Sequence, residues 1–172
     1  MVNMQGQVAL VTGGSGALGR AVVQTLLQAG AHVQVPYIVP EEVPALQAHV
    51  GDAGAQLTCV EGDVTVPDDV NRIVSGVIAA HGRLDILVHL VGGFWGGVPI
   101  ADTPLDEWQR MFQMNVTSAF LCCKAVVPHM RQAGYGRIVT VSSKAAERGA
   151  GNFAAYSVAK SAVITLTEAL AA

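Results

Sequence analysis

The stretch Val8-Ala9-Leu10-Val11-Thr12-Gly13-Gly14-Ser15-Gly16-Ala17-Leu18-Gly19 decides how this chain folds. It begins with an apolar run, 8–11, in which we predict the first strand, and a helical pattern then continues to Gly30. Glycines between a strand and a helix let the backbone and the N–H groups of the helix N-terminus approach a pyrophosphate. A glycine cluster is often only a turn, but the order strand, glycines, helix predicts a dinucleotide-binding unit.

Outward from this unit, apolar runs alternate with helical patterns along the chain. Continuous apolar runs are typical of parallel strands that are buried on both faces. Five strands alternating with helices predict an α/β fold, a Rossmann-type doubly wound parallel sheet with strand order 3-2-1-4-5. The predicted strands are 8–11, 31–35, 56–60, 84–91 and 137–141. No repeat or interdomain linker interrupts this pattern, so we expect a single dinucleotide-binding domain over 1–172 that also carries the catalytic residues.

The composition argues against several classes of function. The chain has 172 residues, a net charge of -3 and only 10 lysines and arginines, so we expect neither nucleic acid nor a membrane as a partner. The N-terminus shows no secretion signal and no stretch is apolar enough to span a bilayer, which favours a cytoplasmic protein. Cys59, Cys122 and Cys123 lack metal-ligand spacing, so we expect no metal site.

Near the C-terminus, Tyr156 and Lys160 are four residues apart, which on a helix places both side chains on one face. A free tyrosine has a pKa of about 10, so bringing a phenol to about 7 requires roughly 4 kcal/mol of preference for the phenolate. One cation about 4 Å away supplies about that amount at an effective dielectric near 20. The same spacing is also common on ordinary helices, so the pair alone does not decide the function.

The strand predicted at 137–141 is followed by two serines, of which the second is Ser143. With Tyr156, Lys160 and the upstream Asn115, this serine resembles the catalytic set of the short-chain dehydrogenase/reductase family. The resemblance implies hydride transfer between NAD or NADP and a small-molecule carbonyl or alcohol. It implies that Tyr156 is the general acid/base and that Ser143 hydrogen-bonds the substrate oxygen. Lys160 would stabilise the phenolate and bind the nicotinamide ribose. Asn115 would complete a proton relay, and a satisfied core amide is its alternative.

The same resemblance assigns the contacts with the cofactor. They are Gly13, Ser15, Gly16, Ala17, Leu18, Gly19, Tyr37, Asp63, Val64, Gly92, Tyr156 and Lys160. The alternative for Asp63 is an ordinary turn aspartate. In dinucleotide-binding folds an acid about twenty residues past the glycines receives the ribose of NAD, and a nearby arginine accommodates the phosphate of NADP. The equivalent position is near Tyr37, where the sequence has neither, so the choice between NAD and NADP stays open. Glu41 and Glu42 are predicted only to begin the next helix.

The glycine-rich segment after the fourth strand carries two aromatic residues, Phe94 and Trp95. Loops at the end of a strand often bind ligands, so we predict that both residues face the substrate together with Ser143. Of the family's usual pattern in this region only Gly92 is kept. For His89, in the preceding strand, a buried hydrogen-bonded histidine is favoured over a catalytic one.

A long helix is predicted to begin after Thr103, its expected cap, and to continue past Asn115 until Pro128 or shortly after. Residues 65–68 form a plausible capping box for the preceding helix, which Gly82 is predicted to end. The resemblance implies a homodimer or homotetramer formed through the helix of Asn115 and the helix of Tyr156.

Members of the resembled family run to about 250 residues, the upper range for one α/β domain. The resemblance therefore implies that this chain is truncated after the helix of Tyr156, without the family's last strands and substrate segment. It is either a fragment or a naturally short protein, and the sequence leaves both alternatives open. A rival hypothesis is a catalytically incompetent dinucleotide-binding module, and a purely structural role is a third. Dinucleotide binding and turnover by the intact protein distinguish the three.

Overall fold

The computed structural model describes residues 3–149 and 151–172. Its strands are β1 (Val8–Thr12), β2 (His32–Tyr37), β3 (Leu57–Glu61), β4 (Ile86–His89) and β5 (Arg137–Thr140). Its α-helices are α1 (Ala17–Gln28), α2 (Glu42–Val50), α3 (Pro67–His81), α4 (Leu105–Phe112), α5 (Ser118–Ala133) and α6 (Ala154–Ala171). Each predicted strand is present, and its ends lie within about two residues of the prediction, which is the usual uncertainty of strand and helix boundaries.

The five strands form one sheet with the order β3-β2-β1-β4-β5, which confirms the predicted Rossmann-type order. β1 pairs in parallel with β2 and with β4, and β2 pairs in parallel with β3. All five residues of β1 are buried. This central position explains why β1 is a continuous apolar run rather than an alternating one.

The described residues form two compact units. The first comprises the described residues up to Leu90 and the segment Leu121–Val139, and the second comprises Val91–Phe120 and Thr140–Ala172. The core of the first unit includes Val11, Val23, Leu26, Val33, Val35 and Leu46. The core of the second unit is smaller and is formed by Met111, Ala155 and Ala159. The single domain expected over 1–172 stays a prediction.

The long helix predicted through Asn115 is interrupted. A π-helical turn at Gln113–Thr117 separates α4 from α5, and Asn115 is buried in this turn. α5 continues through Pro128 and ends shortly after it, at Ala133, as predicted. Val126 and Met130, two residues to either side of the proline, are both buried. Their packing offsets the cost of a proline inside a helix.

Two predicted helix caps are also wrong. The N-cap of α4 is Pro104, and the Thr103 hydroxyl instead donates to the carbonyl of Pro99 at 3.1 Å. The N-cap of α3 is Val66, which has no side-chain hydrogen bond to the helix. A proline stands at the start of each helix, where its fixed φ favours the first turn without a capping side chain. Gly82 ends α3 as predicted, in the left-handed conformation with φ of 70°.

Candidate active site

In the first unit, the turn between β1 and α1 requires glycine at several positions. A Cβ on Gly19 would lie 2.1 Å from the Gly13 carbonyl oxygen, and a Cβ on Gly14 would lie 2.8 Å from the side chain of Val35. Neither distance is compatible with a side chain. The turn therefore packs directly against β2 and against the first turn of α1.

The N-terminus of α1 is open to an anionic group. Its N-cap is Gly16, and no side chain caps α1 in the part of the chain that the structure describes. The first N–H groups of a helix have no partner within the helix, and the helix dipole adds a partial positive charge there. Ala17 and Leu18 lie in this first turn, and Leu18 is exposed. These residues fit the pyrophosphate of a dinucleotide, because such a group needs backbone donors without side chains in the way.

Three further predicted cofactor contacts lie at the end of β2 and just after the end of β3. Tyr37 is the last residue of β2, and its carbonyl accepts from the N–H of Gly62 at 2.9 Å. Asp63 accepts from the N–H of Thr65 at 2.8 Å through its carboxylate, so it has the hydrogen bond of a turn aspartate. Val64 is buried. Contacts of these residues with a cofactor stay predictions.

The structure also shows a contact that the sequence did not reveal. The Ser15 hydroxyl, in the glycine turn, donates to Oε2 of Glu42. Glu42 is the first residue of α2, the helix that follows β2. The sequence shows only an acid at a helix start, and it does not show that this helix brings the acid to the glycine turn.

In the second unit, α6 carries Tyr156 and Lys160 one turn apart, as predicted. The Lys160 Nζ lies 6.0 Å from the centroid of the Tyr156 ring. The same ammonium donates to the carbonyl of Val141 at 3.0 Å. Burial lowers the pKa of Lys160 below its ordinary value, because desolvation disfavours the charged amine. A cation and a phenol are therefore held near each other on one helix.

Asn115 is fixed beside this pair by the π-helical turn. Its Nδ2 donates to the carbonyls of Gly93 at 3.0 Å and Met111 at 2.9 Å, and its Oδ1 accepts from the N–H of Gly93 at 3.2 Å. A Cβ on Gly92 would lie 2.6 Å from Asn115 Oδ1 and 3.1 Å from Lys160 Nζ. Gly92, Asn115 and Lys160 therefore share one small space. The satisfied core amide considered as the alternative accounts for these hydrogen bonds, and the relay role stays a prediction.

One of the two serines after β5 is attached to the same helix. Ser142 Oγ donates to the carbonyl of Lys160 at 2.8 Å. Ser143 Oγ accepts from the N–H of Ala145 at 3.3 Å, at the start of the 3₁₀ turn Lys144–Ala146. Ser142 thus ties the segment of Ser143 to the turn of α6 that holds Lys160. The sequence shows Ser142 only as a neighbour of Ser143, and this positioning contact was missed.

The glycine-rich segment after Gly92 brings an aromatic ring to Tyr156. Phe94 is 60% exposed, and its ring meets that of Tyr156 edge to face with centroids 5.0 Å apart. It also lies 5.5 Å from the ring of Phe153. The N–H of Gly97 donates to the carbonyl of Asn152 at 2.7 Å, which fixes this segment next to α6. Trp95 instead packs, half-buried, against the core of the second unit.

His89, as predicted, is a buried strand histidine. It is 3% exposed, and its Nδ1 lies 2.9 Å from the hydroxyl of Thr12 in β1. The three cysteines are free, and burial raises the pKa of Cys122 to about 12 and that of Cys123 to about 11. Within residues 3–149 and 151–172 there is no group of three or more His, Cys, Asp or Glu side chains arranged to hold a metal ion. None of the helices described for this chain is both long and apolar enough to cross a bilayer.

Comparison with known proteins gives a consistent result. The profile of the family described as short chain dehydrogenase matches residues 7–172. The 2-dehydro-3-deoxy-L-rhamnonate dehydrogenase (NAD(+)) of Sphingomonas sp. (strain SKA58) is 34% identical over 165 residues, which cover 96% of this chain and 65% of that protein. The NAD+-bound xylitol dehydrogenase has a TM-score of 0.87 at 34% identity, over 96% of this chain and 64% of that one. ElxO with NADP bound has a TM-score of 0.89 at 26% identity, over 93% and 64%. The chain thus spans slightly less than two thirds of the length of these relatives.

Proposed function

This chain belongs to the short-chain dehydrogenase family, and from that premise we propose that it is an NAD(P)-dependent oxidoreductase. Its reaction is hydride transfer between the nicotinamide and the carbonyl or alcohol carbon of a small molecule. The observation that carries the proposal is the placement of Tyr156 and Lys160 on one face of α6, with Asn115 and Gly92 against the lysine. If Tyr156 and Lys160 were only surface residues of a helix, no glycine would be needed beside the lysine.

The cofactor is NAD or NADP, as in the names of the relatives. When it is bound, its nicotinamide ring supplies or accepts the hydride. The glycine turn of the first unit and the first N–H groups of α1 hold the pyrophosphate, since they form an open cradle with a partial positive charge. Tyr37, Asp63 and Val64 contribute to the adenosine side in this proposal. Gly92 leaves room for the nicotinamide side, and Lys160 binds the ribose there.

Tyr156 moves the proton. In the reductive direction its hydroxyl protonates the substrate oxygen, and in the oxidative direction the phenolate removes that proton. Lys160 lies one turn further along the same face of α6, with its Nζ 6.0 Å from the centroid of the phenol ring. Ser143 donates a hydrogen bond to the substrate oxygen and steadies the negative charge that develops there. Asn115 holds the wide turn next to the lysine and completes the path for the proton.

Phe94 is the substrate contact that the geometry supports best, because its exposed ring lies against Tyr156. A substrate that reaches the phenol hydroxyl passes this ring. The contact with Trp95 has less support, since that side chain is used in packing. The homo-oligomer through the helix of Asn115 and the helix of Tyr156 is part of this proposal, as the family resemblance implies.

Replacing Tyr156 with phenylalanine tests the proposal. We expect kcat to fall by about 10²–10⁴-fold, because the general acid/base is lost. The affinity for the reduced cofactor should stay within about twofold, since the ring itself is kept. The matched control is Tyr135→Phe, which removes a hydroxyl in the first unit that accepts from Gln7 Nε2 at 3.2 Å.

Steady-state assays over a panel of carbonyl compounds and alcohols measure kcat, and fluorescence titration measures cofactor affinity. A Tyr156→Phe variant as active as the Tyr135→Phe control contradicts the assignment. Cofactor binding by the intact wild-type protein without turnover on any member of the panel points instead to the dinucleotide-binding module. Failure to bind either dinucleotide contradicts both functions.

A further inference from the structure

The contact between the glycine turn and α2 places a carboxylate at the cofactor site of the first unit. Ser15 lies between Gly13 and Gly16 in the turn, and its hydroxyl donates to Oε2 of Glu42. The chain leaves β2 at Tyr37, and the N–H of Glu42 then donates to the carbonyl of Val39 at 3.1 Å as α2 begins. This short return brings an acid to the turn although the end of β2 has none.

Among the described residues, no cation pairs with the charge of Glu42. In the part of the chain that the structure describes, the ion pairs join Arg72, Arg83 and Arg110 to carboxylates other than Glu42. Glu42 is exposed, and Ser15 is its only hydrogen-bonding side chain among the described residues. The second carboxylate oxygen is therefore open to hydroxyl groups of a ligand.

The two dinucleotides differ at the 2′ position of the adenosine ribose, which is the group that an acid near this turn would contact. NAD carries a free 2′-hydroxyl on the adenosine ribose, which donates to a carboxylate. NADP carries a phosphate at that position, with a charge of about -1.5 to -2 at neutral pH, and a nearby carboxylate repels it. An arginine that would accommodate this phosphate is missing from residues 36–42.

We propose that Glu42 is the specificity-determining residue of the cofactor site and that it selects NAD over NADP. It accepts from the ribose hydroxyls of NAD and repels the 2′-phosphate of NADP, and Ser15 holds its carboxylate at the glycine turn. The inference rests on the proposed function, since it concerns the cofactor of that same site. It resolves a choice that the residues at the end of β2 leave open.

Equilibrium titration of the intact protein with NADH and with NADPH tests this without any turnover. Intrinsic fluorescence or calorimetry gives the two dissociation constants for the wild type, for Glu42→Gln and for Glu41→Gln. The wild type should bind NADH at least about tenfold more tightly than NADPH. Glu42→Gln should lose most of this ratio, mainly because NADPH binds more tightly. Glu41→Gln is the matched control, because Glu41 is an adjacent exposed acid that makes no side-chain cap on α2.

Salt gives a second readout that loss of packing would not produce. Raising the ionic strength should bring the NADH and NADPH dissociation constants of the wild type closer together, because salt screens the repulsion between Glu42 and the 2′-phosphate at an exposed site. In Glu42→Gln, which lacks this charge, the ratio of the two constants should stay nearly constant. A wild type that binds NADPH as tightly as NADH, or more tightly, overturns the inference and leaves the proposed function intact. If Glu42→Gln leaves the ratio of the two dissociation constants unchanged, the inference is likewise overturned and the proposed function stands. Binding of neither dinucleotide overturns the proposed function together with the inference.

Discussion

Replacing Gly92 with alanine puts a methyl group where two side chains of the candidate active site already lie. The added Cβ would be 2.6 Å from Asn115 Oδ1 and 3.1 Å from Lys160 Nζ. The backbone of Gly92 is not in the left-handed region, so alanine is acceptable there and the cost comes from crowding. The lysine has a flexible stem and can shift. Asn115 is 1% exposed and fixed by its hydrogen bonds, so it cannot move without losing some of them.

The magnitude follows from these contacts. Overpacking a well-filled site costs about 1–3 kcal/mol. Each buried polar group that loses its partner costs about 1–3 kcal/mol more, and Asn115 has three such bonds to backbone groups of Gly93 and Met111. With one of these bonds lost, we expect the free energy of unfolding to fall by about 2–6 kcal/mol. Displacement of Asn115 and Lys160 should also lower kcat by at least about tenfold.

Urea denaturation followed by tryptophan fluorescence measures this loss where it occurs, because both tryptophans, Trp95 and Trp108, belong to the second unit. Gly149→Ala is the matched control, since a Cβ there meets nothing within 4 Å and the residue has no positive φ. Its free energy of unfolding should stay within about 0.5 kcal/mol of the wild type. A Gly92→Ala variant that is as stable and as active as this control would refute the reasoning.

Two further predictions concern charged groups. Asp85, 3% exposed, accepts from the N–H of Val8 at 2.8 Å and from two Arg83 nitrogens at 2.8 and 2.7 Å, so Asp85→Ala should cost about 2–4 kcal/mol in chemical denaturation. Asp85→Asn keeps an acceptor for Val8 and should lose less, and equal losses in both variants would contradict this account. In the folded protein, burial lowers the pKa of Lys160 below its ordinary value of 10.5. At a pH between the folded and the unfolded pKa, the unfolded chain binds more protons, so the free energy of unfolding rises with pH. The stability of the wild type relative to Lys160→Met should therefore increase as the pH is raised from 7 to about 10, and a constant difference would show that the amine is not desolvated.

The sheet order was predictable because the glycine turn marks the first strand and because buried parallel strands read as apolar runs. The pairing of Tyr156 with Lys160 was equally predictable, since it depends only on the helical repeat. The π-helical turn at Gln113–Thr117 was not, because one wide turn barely changes the apolar pattern of a helix. Its signal is the polar Asn115 among apolar residues.

Contacts between distant parts of the chain were the main omission. The bond from Ser15 to Glu42 joins residues 27 positions apart, and that from Ser142 to Lys160 joins residues 18 apart. Hydrophobic periodicity assigns each of these residues to a helix, strand or turn. It gives no distance between polar side chains on different elements. The predicted caps at Thr103 and at 65–68 are wrong for a local reason, since a proline can begin a helix without a capping side chain.

The wide turn at Gln113–Thr117 also determines how this region tolerates deletions. A π turn contains about one residue more than an α turn, so removing one residue there would regularise the helix instead of breaking it. The residues on either side of the deletion would keep nearly the same orientation, because the wide turn completes the same rotation with one residue more. Met111 would therefore keep its packing against Ala155 and Ala159, and the backbone would stay helical throughout. A sequence shortened by one residue in this turn would keep both its helix content in circular dichroism and the core of its second unit.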